Sequence, residues 1–553
     1  MNRFRNKTQT EKTNSIFCLF ASISIVLTVV FGLGVCANDE NAEQLSQIKQ
    51  SSSIYIDNIK NKLDLITVLT PVDGIDSNVI SMLQNLIDQK DNDLKISVVS
   101  SSSPQILKDG SILYGSSDTD MSIIINIVVV KDKSSFTKNI SVVIPKKKVQ
   151  PIFTEKAINA KDYGAKGNGT SDDTLAIQNA IDYISSVGGG TVNVDSGTYL
   201  INPDVSINMK SNIQLSLTGD AILKSLASGR VNSEIINIVN VNNVNVIGGK
   251  IIGDRYIHTG TGGEWGMGVN VAGSSNVNIT GINITDCWGD GIYIGGVSSS
   301  NVVIYSVISN NNRRQGMSIT NAKNIAVANS EFKNTNGTLP QAGIDIEPNI
   351  NETVEDIKIN NVKFINNQGS GIDILGMSGI VRRVDISNST INSNSGIGIM
   401  MDRANDITLS NNAVINNLFG VEIKRDVYNV ALSSMNISNN KSRGVSMVSN
   451  GQTKGIDNIA FLDSTISNNS QSSPGKADGI KVDNYDSAGY IRNIKFMNTK
   501  FIDNQSKHTQ GYGLTVGGSK TISGITVYAD CVFSGNINGN LYAAIPISQN
   551  VPR

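Results

Sequence analysis

Asp345, Glu347 and Asp373 are the residues whose type and spacing point most directly to chemistry. They lie in or beside two copies of one tetrapeptide, GIDI, that begin at Gly343 and Gly371. In an extended strand the two apolar residues of Gly-apolar-x-apolar face one way and the residue between them faces the other. On strands stacked about 4.8 Å apart, Asp345 and Asp373 become neighbours, with Glu347 beside the first and diagonal to the second. Three carboxylates in one small patch repel, so at least one keeps its proton near neutral pH. A proton-bearing acid beside an ionised carboxylate is what cleavage of a glycosidic bond requires. The close spacing of retaining pairs and the wider spacing of inverting pairs are both within reach. The expected arrangement is an inverting pair, Asp345 or Glu347 with Asp373.

The elements that position these residues are legible as a repeat. The same tetrapeptide pattern starts at Gly268, Gly291, Gly316, Gly343, Gly371, Gly396 and Gly420, at steps of 23, 25, 27, 28, 25 and 24 residues. Weaker copies follow at Gly444, Gly479 and Gly513. A fixed period of this size is the mark of a solenoid. Each period holds short alternating runs bounded by Asn, Ser and Gly, so its units are strands. A second set of strand starts, at Asn301, Asn324, Asp356, Asp406, Asn429, Asn458 and Asn493, keeps step with the first. The fold expected is all-β, a right-handed parallel β-helix. Its outward row reads Asn270, Tyr293, Ser318, Asp345, Asp373, Gly398 and Glu422, and the next outward row reads Thr320, Glu347, Leu375, Met400 and Lys424.

The neighbours of the acidic patch are candidates for binding. Trp288 and Asp290 precede one glycine and Arg313, Arg314 and Gln315 precede the next, with Tyr293 on the row itself. Arginine forks bind carboxylates or sulfates in bidentate fashion, and Trp and Tyr offer flat faces to sugar rings. Residues 253–266 interrupt the repeat with Asp254, Arg255, His258, Glu264 and Trp265. Such an insertion must form a loop on one flank, where binding residues concentrate.

Composition narrows the partners. With 46 basic and 47 acidic residues, nothing favours nucleic acid or an anionic membrane surface. Asn is abundant among the 553 residues, and it tolerates left-handed turns and stacks in hydrogen-bonded ladders. The four cysteines, Cys18, Cys36, Cys287 and Cys531, are too scattered for a disulfide framework or a thiolate metal site. No metal site and no cofactor are expected, and oligomeric state is not readable.

In chain order, residues 1–37 read as a signal peptide or membrane anchor: Arg3, Arg5, Lys7 and Lys12 precede an uncharged apolar run from Ile16 to Val35. The remainder is then secreted or displayed at the cell surface, with membrane contact only through an uncleaved leader. Residues 38–150 form a small β-rich domain, with helical spacing over Ser77–Ile87 and strands at Lys95–Val99, Met121–Val130 and Ile140–Ile144. It resembles the degenerate immunoglobulin-like domains found ahead of catalytic modules in secreted bacterial proteins. Residues 151–553 form the solenoid, closed at its start by an amphipathic helix over Thr174–Ser186 with Leu175, Ile177, Ala180, Ile181 and Ile184 on one face and Asp172 or Ser171 as cap. The last recognisable coil ends near Asn536.

The stretch DYGAKGNGTSDDTLAIQNAID followed by GGGTVNVDSGTYLI resembles the N-terminal signature of the pectate-lyase-like and polygalacturonase-like β-helix superfamily. CWGDGIYI, NNRRQGMSI and GIDIEPN are similar to stretches of bacterial proteins grouped there. The resemblance implies a carbohydrate-active enzyme with a polysaccharide partner. The Asn-Thr-Asp, Asp-Asp, Gly-His-Gly and Arg-Ile-Lys motifs of polygalacturonases proper are missing from the ladder, so neither their site assignments nor their pectin specificity carries over. Three readings follow. The first is a secreted polysaccharide-degrading glycoside hydrolase acting on an acidic or complex glycan. The second is a polysaccharide lyase or uronate epimerase with Arg314, His258 or Tyr293 as base and Asp345, Glu347 and Asp373 holding Ca²⁺ or neutralising the substrate. The third is a non-catalytic surface adhesin or glycan-binding solenoid.

Overall fold

The computed structural model describes residues 156–551 apart from 450–454, 486–488 and 520, and before them 59–60, 63, 78–87, 94–103, 106–112, 121–131 and 134–144. The leader expected over residues 1–37 lies outside the described residues. In the N-terminal part, β1 (Lys95–Ser101), β2 (Met121–Lys131) and β3 (Ser134–Ile144) form one antiparallel sheet. The helix α1 (Val79–Ile87) shares an apolar cluster with it through Val79, Met82 and Leu83 against Ile96, Ile123 and Ile125. Among the described residues of this N-terminal part, these three strands make the one sheet.

From Ala157 onward the chain winds into a right-handed parallel β-helix with sheets of 15, 14 and 13 strands. Each coil gives one strand to each sheet, as Ser275–Thr280, Asn283–Thr285 and Ile292–Ile294 do in turn. The 13-stranded sheet carries the glycine ladder and is called the ladder sheet below. The alternation read from the sequence holds: Ile344 and Ile346 are fully buried and stack on Ile372 and Ile374. One continuous core of such Ile, Val and Leu rows, with Phe332 stacked on Phe364, runs the length of the solenoid.

Asparagine has two structural uses. At the corner between the 15- and 14-stranded sheets, Asn329, Asn361, Asn388 and Asn411 take φ between +51° and +54°, which their short polar side chain tolerates better than most. Inside the solenoid, Asn367, Asn394, Asn417, Asn440, Asn469 and Gln510 form a buried ladder whose amides donate to the next member at 2.9, 2.9, 3.3, 3.0 and 3.0 Å. Each such bond is worth about 1 kcal/mol net, but leaving one of these buried amides unpaired would cost more.

The inner amides also explain the glycine. A Cβ on Gly371 would fall 3.0 Å from Asn394 Nδ2 and 2.7 Å from the carbonyl oxygen of Gly398. This corrects the sequence register: Gly398, not Gly396, continues the ladder above Gly371. Asp373 therefore stacks on Met400, and Asp402 takes the position beside Leu375. GIGIMM offers two overlapping copies of the pattern, and the Asn394–Asn417 contact selects between them.

The capping helix α2 (Thr174–Ser186) buries Thr174, Ile177, Ala180, Ile181 and Ile184, whereas Leu175, placed on that face from the sequence, is exposed. Its N-cap is Asp173, whose carboxylate accepts instead from Lys166 N and Gly167 N, while Asp172 Oδ1 accepts from Thr174 N. The Asp172-Asp173 pair thus holds the cap. Strands continue to Gly539–Ala543 and Ser548–Val551, beyond the end expected near Asn536.

Candidate active site

The outward row of the ladder sheet runs Asn270, Tyr293, Ser318, Asp345, Asp373, Met400 and Glu422, one residue per coil in parallel register. Solvent exposure was expected along it. Instead Ser318, Asp345 and Asp373 are only 2, 3 and 5% exposed. The reason lies in the loops that lead from the 14-stranded sheet into the ladder sheet. They bring Asp290, Arg314, Gln315 and Ser370 against the row: Gln315 Nε2 donates to Asp345 Oδ2 at 2.8 Å, and the Ser370 side chain lies near the Asp373 carboxylate.

The acids in this patch differ in one respect. Asp290 is fully buried with both oxygens engaged: Arg314 Nη1 donates to Oδ1 and Oδ2 at 3.3 and 3.1 Å, and Ser318 Oγ donates to Oδ2 at 2.7 Å. Asp345 and Asp373 each keep one buried oxygen, Oδ1, with no hydrogen-bond partner among the described residues. Such atoms are costly to bury, and each calls for an explanation.

Burial dominates the acidities. It pushes Asp373 up to about 6, helped by Glu347 and opposed by Ser370. Burial also raises Asp290 to about 6 despite the Arg314 guanidinium beside it. Asp345 is held well above the ordinary carboxylate range by burial first, then by Asp373 and Glu347, with Arg314 opposing. The half-buried Glu347 is raised by burial, again opposed by Arg314. Burial works to lower Arg314, but Asp290, Asp345 and Glu264 outweigh it, and the guanidinium is held more firmly charged than usual. Burial and the neighbouring acids therefore favour the protonated form of Asp345, beside Asp373, which is raised to about 6.

The remaining residues expected to bind substrate divide into two groups. Glu264, half-exposed, pairs with Arg314 at 3.2 Å and sits at the rim, and Trp265, 47% exposed, begins the adjoining strand. The others brace the 253–266 insertion. His258 Nδ1 lies 2.7 Å from Asp254 Oδ2, and its ring stacks on Trp288 at 4.1 Å. The Arg313 guanidinium lies 3.7 Å from the Trp288 ring and donates to the carbonyls of Gly263 and Trp288. Arg255 is bound to Asn311 and Asn336. Tyr293 is on the row, its hydroxyl 3.0 Å from Thr320 Oγ1. Asp254, His258 and Asp290 have buried side chains, as has Gln315. Ser318 and Ser370 were not singled out in the sequence. Ser318 stood on the outward row between Tyr293 and Asp345, which was the available signal.

Residues 157–422 match the family model described as rhamnogalacturonase A/epimerase, pectate lyase-like. An uncharacterized protein of Bacillus subtilis, YclG, is 26% identical over 377 residues, which cover 60% of this chain and 63% of that one. Iota-carrageenase of Alteromonas macleodii is 40% identical over 84 residues, 15% of this chain and 16% of the enzyme. The chain spans less than two thirds of the length of these relatives. Among solved structures, the A-module of mannuronan C-5 epimerase AlgE4 of Azotobacter vinelandii is 18% identical, covering 72% of this chain and all of that module with a TM-score of 0.49. Over residues 157–422, just under half of the chain, the solenoid is similar to the pectate lyase-like family, and its fold is a right-handed parallel β-helix.

Proposed function

We propose that the chain is a secreted polysaccharide-degrading glycoside hydrolase in which Asp345 is the general acid and Asp373 its ionised partner. The observation that carries this reading is the pair of stacked, buried carboxyls, each with one unpartnered oxygen. Asp345 donates its proton to the glycosidic oxygen as the bond to the sugar ring breaks. Asp373, ionised above about pH 6, faces the developing positive charge on the ring, and Glu347 adds a second negative group on the diagonal. Arg314, fixed between Asp290 and Glu264, limits the mutual repulsion of the three acids without neutralising them. Trp265 offers an exposed ring to a neighbouring sugar.

A lyase or epimerase needs a base that substrate can reach; Arg314 and Tyr293 are engaged, and His258, whose Nε2 has no hydrogen-bond partner among the described residues, is enclosed. Arg314 is firmly protonated, the His258 side chain is fully enclosed, and the Tyr293 hydroxyl is bonded to Thr320. Among the described residues no group of three or more His, Cys, Asp or Glu is arranged to hold a metal ion. The test is a panel of acidic and neutral polysaccharides assayed for reducing ends and for ultraviolet absorbance. New reducing ends without absorbance support hydrolysis; an unsaturated, absorbing product makes the chain a lyase; binding without turnover makes it an adhesin. Proton NMR of the first-formed anomer then assigns Asp373, as base for water if inverted or as nucleophile if retained.

A further inference from the structure

Gln315 was expected to touch substrate, yet it is fully buried. Its amide is used at both ends. Oε1 accepts from Ala342 N at 2.7 Å, and Nε2 donates to Asp345 Oδ2 at 2.8 Å. A backbone N–H can only donate, so the amide cannot be flipped: the oxygen must face Ala342 and the NH₂ must face Asp345. Oδ2 of Asp345 is thereby an acceptor and cannot hold a proton directed at Gln315. The other oxygen, Oδ1, is the one with no partner among the described residues.

We propose that Gln315 is a positioning residue that confines the proton of Asp345 to Oδ1, the oxygen left free to deliver it. The groups that face Asp345 are Asp373 and Glu347, which favour its protonated form, Arg314, which opposes it, and Asp290 from the coil below. None of them selects between the two oxygens; the Gln315 amide does. The kinetic consequence rests on the hydrolase reading above; the titration does not.

The test uses full-length protein labelled with ¹³C at the aspartate carboxyls, with the Asp345 signal assigned by its loss in Asp345→Asn. Gln315→Met preserves length and volume but removes the donor, so the ionised form of Asp345 loses its stabilising bond. Its titration midpoint should rise by about one pH unit relative to the unsubstituted protein. Gln315→Glu keeps an acceptor for Ala342 but draws a proton between its own carboxyl and Oδ2, leaving Oδ1 bare. It should lower kcat about tenfold or more with KM nearly unchanged. An unchanged Asp345 midpoint in folded Gln315→Met overturns the proposal, and should that variant not fold, undiminished kcat in Gln315→Glu does so. If the midpoint shifts as expected but no glycan is cleaved, the role of Gln315 stands and the hydrolase reading falls.

Discussion

Two neighbouring places on the ladder sheet treat a buried aspartate in opposite ways. At Asp402, one coil beyond Asp373, the carboxylate is fully enclosed and Arg425 grips both oxygens with its Nε and Nη2 atoms. At Asp345 and Asp373 the carboxyls are nearly as enclosed, but each keeps an oxygen unpaired; Arg314 near Asp345 is committed to Asp290 and Glu264, and Lys424 near Asp373 is paired with Glu422. The fold can therefore neutralise a buried acid where it needs to, and at the GIDI coils it does not. The Asp402 arrangement holds adjacent coils together. The Asp345–Asp373 arrangement stores repulsion, and sites built for chemistry commonly cost stability in this way.

The widest separation between the two places should appear in turnover. Asp345→Asn, which still offers an acceptor to Gln315, should lower kcat by about 10³-fold with little change in KM. Asp402→Asn should leave kcat within about threefold, since it removes no group that meets substrate. Comparable losses from the two substitutions would erase the distinction. In stability the ranking reverses. Arg425→Ala leaves the Asp402 charge buried and unpaired, and should destabilise the solenoid by about 3 kcal/mol, read as a lower midpoint in urea.

The pH dependence of the two places differs as well. The folded value of Asp373 is raised to about 6 from an ordinary 3.8, so the folded state binds the extra proton between those values. Its contribution to stability is fully present below about pH 4 and is lost as the pH rises through about 6. Thermal midpoints across that window should fall in the unsubstituted protein and fall less steeply in Asp373→Asn, where Asp290 and Asp345 still contribute. The acidic limb of kcat/KM should bend near pH 6 for the same reason. The smallest effect belongs to the rim: Trp265→Ala should raise KM several-fold, corresponding to about 1 kcal/mol of lost ring stacking, and leave kcat nearly unchanged.

The solenoid was legible because its period is written in glycine, and the glycine is required by the close approach of Asn394 and its counterparts. The buried Asn ladder itself was not singled out, since a strand pattern does not distinguish an inward asparagine from a turn asparagine. The stacking of Asp345 on Asp373 followed from the repeat alone, whereas their burial did not. Enclosure comes from Gln315 and Ser370, which precede the glycines and fold back over the row, and alternation along a strand carries no information about such loops. His258, Trp288 and Arg313 drew attention by their rarity and chemistry, yet they spend their contacts on one another. The two-residue error at Gly396 arose where GIGIMM repeats the pattern within itself.

One comparison reaches the central claim most directly: kcat and the thermal midpoint of Asp373→Asn, measured side by side at pH 7. If Asp373 is an unneutralised charge retained for catalysis, removing it should raise stability by about 1–3 kcal/mol while lowering kcat about 10³-fold. Undiminished turnover, or a midpoint that falls, would contradict the account, for Asp373 would then be a structural residue like Asp402.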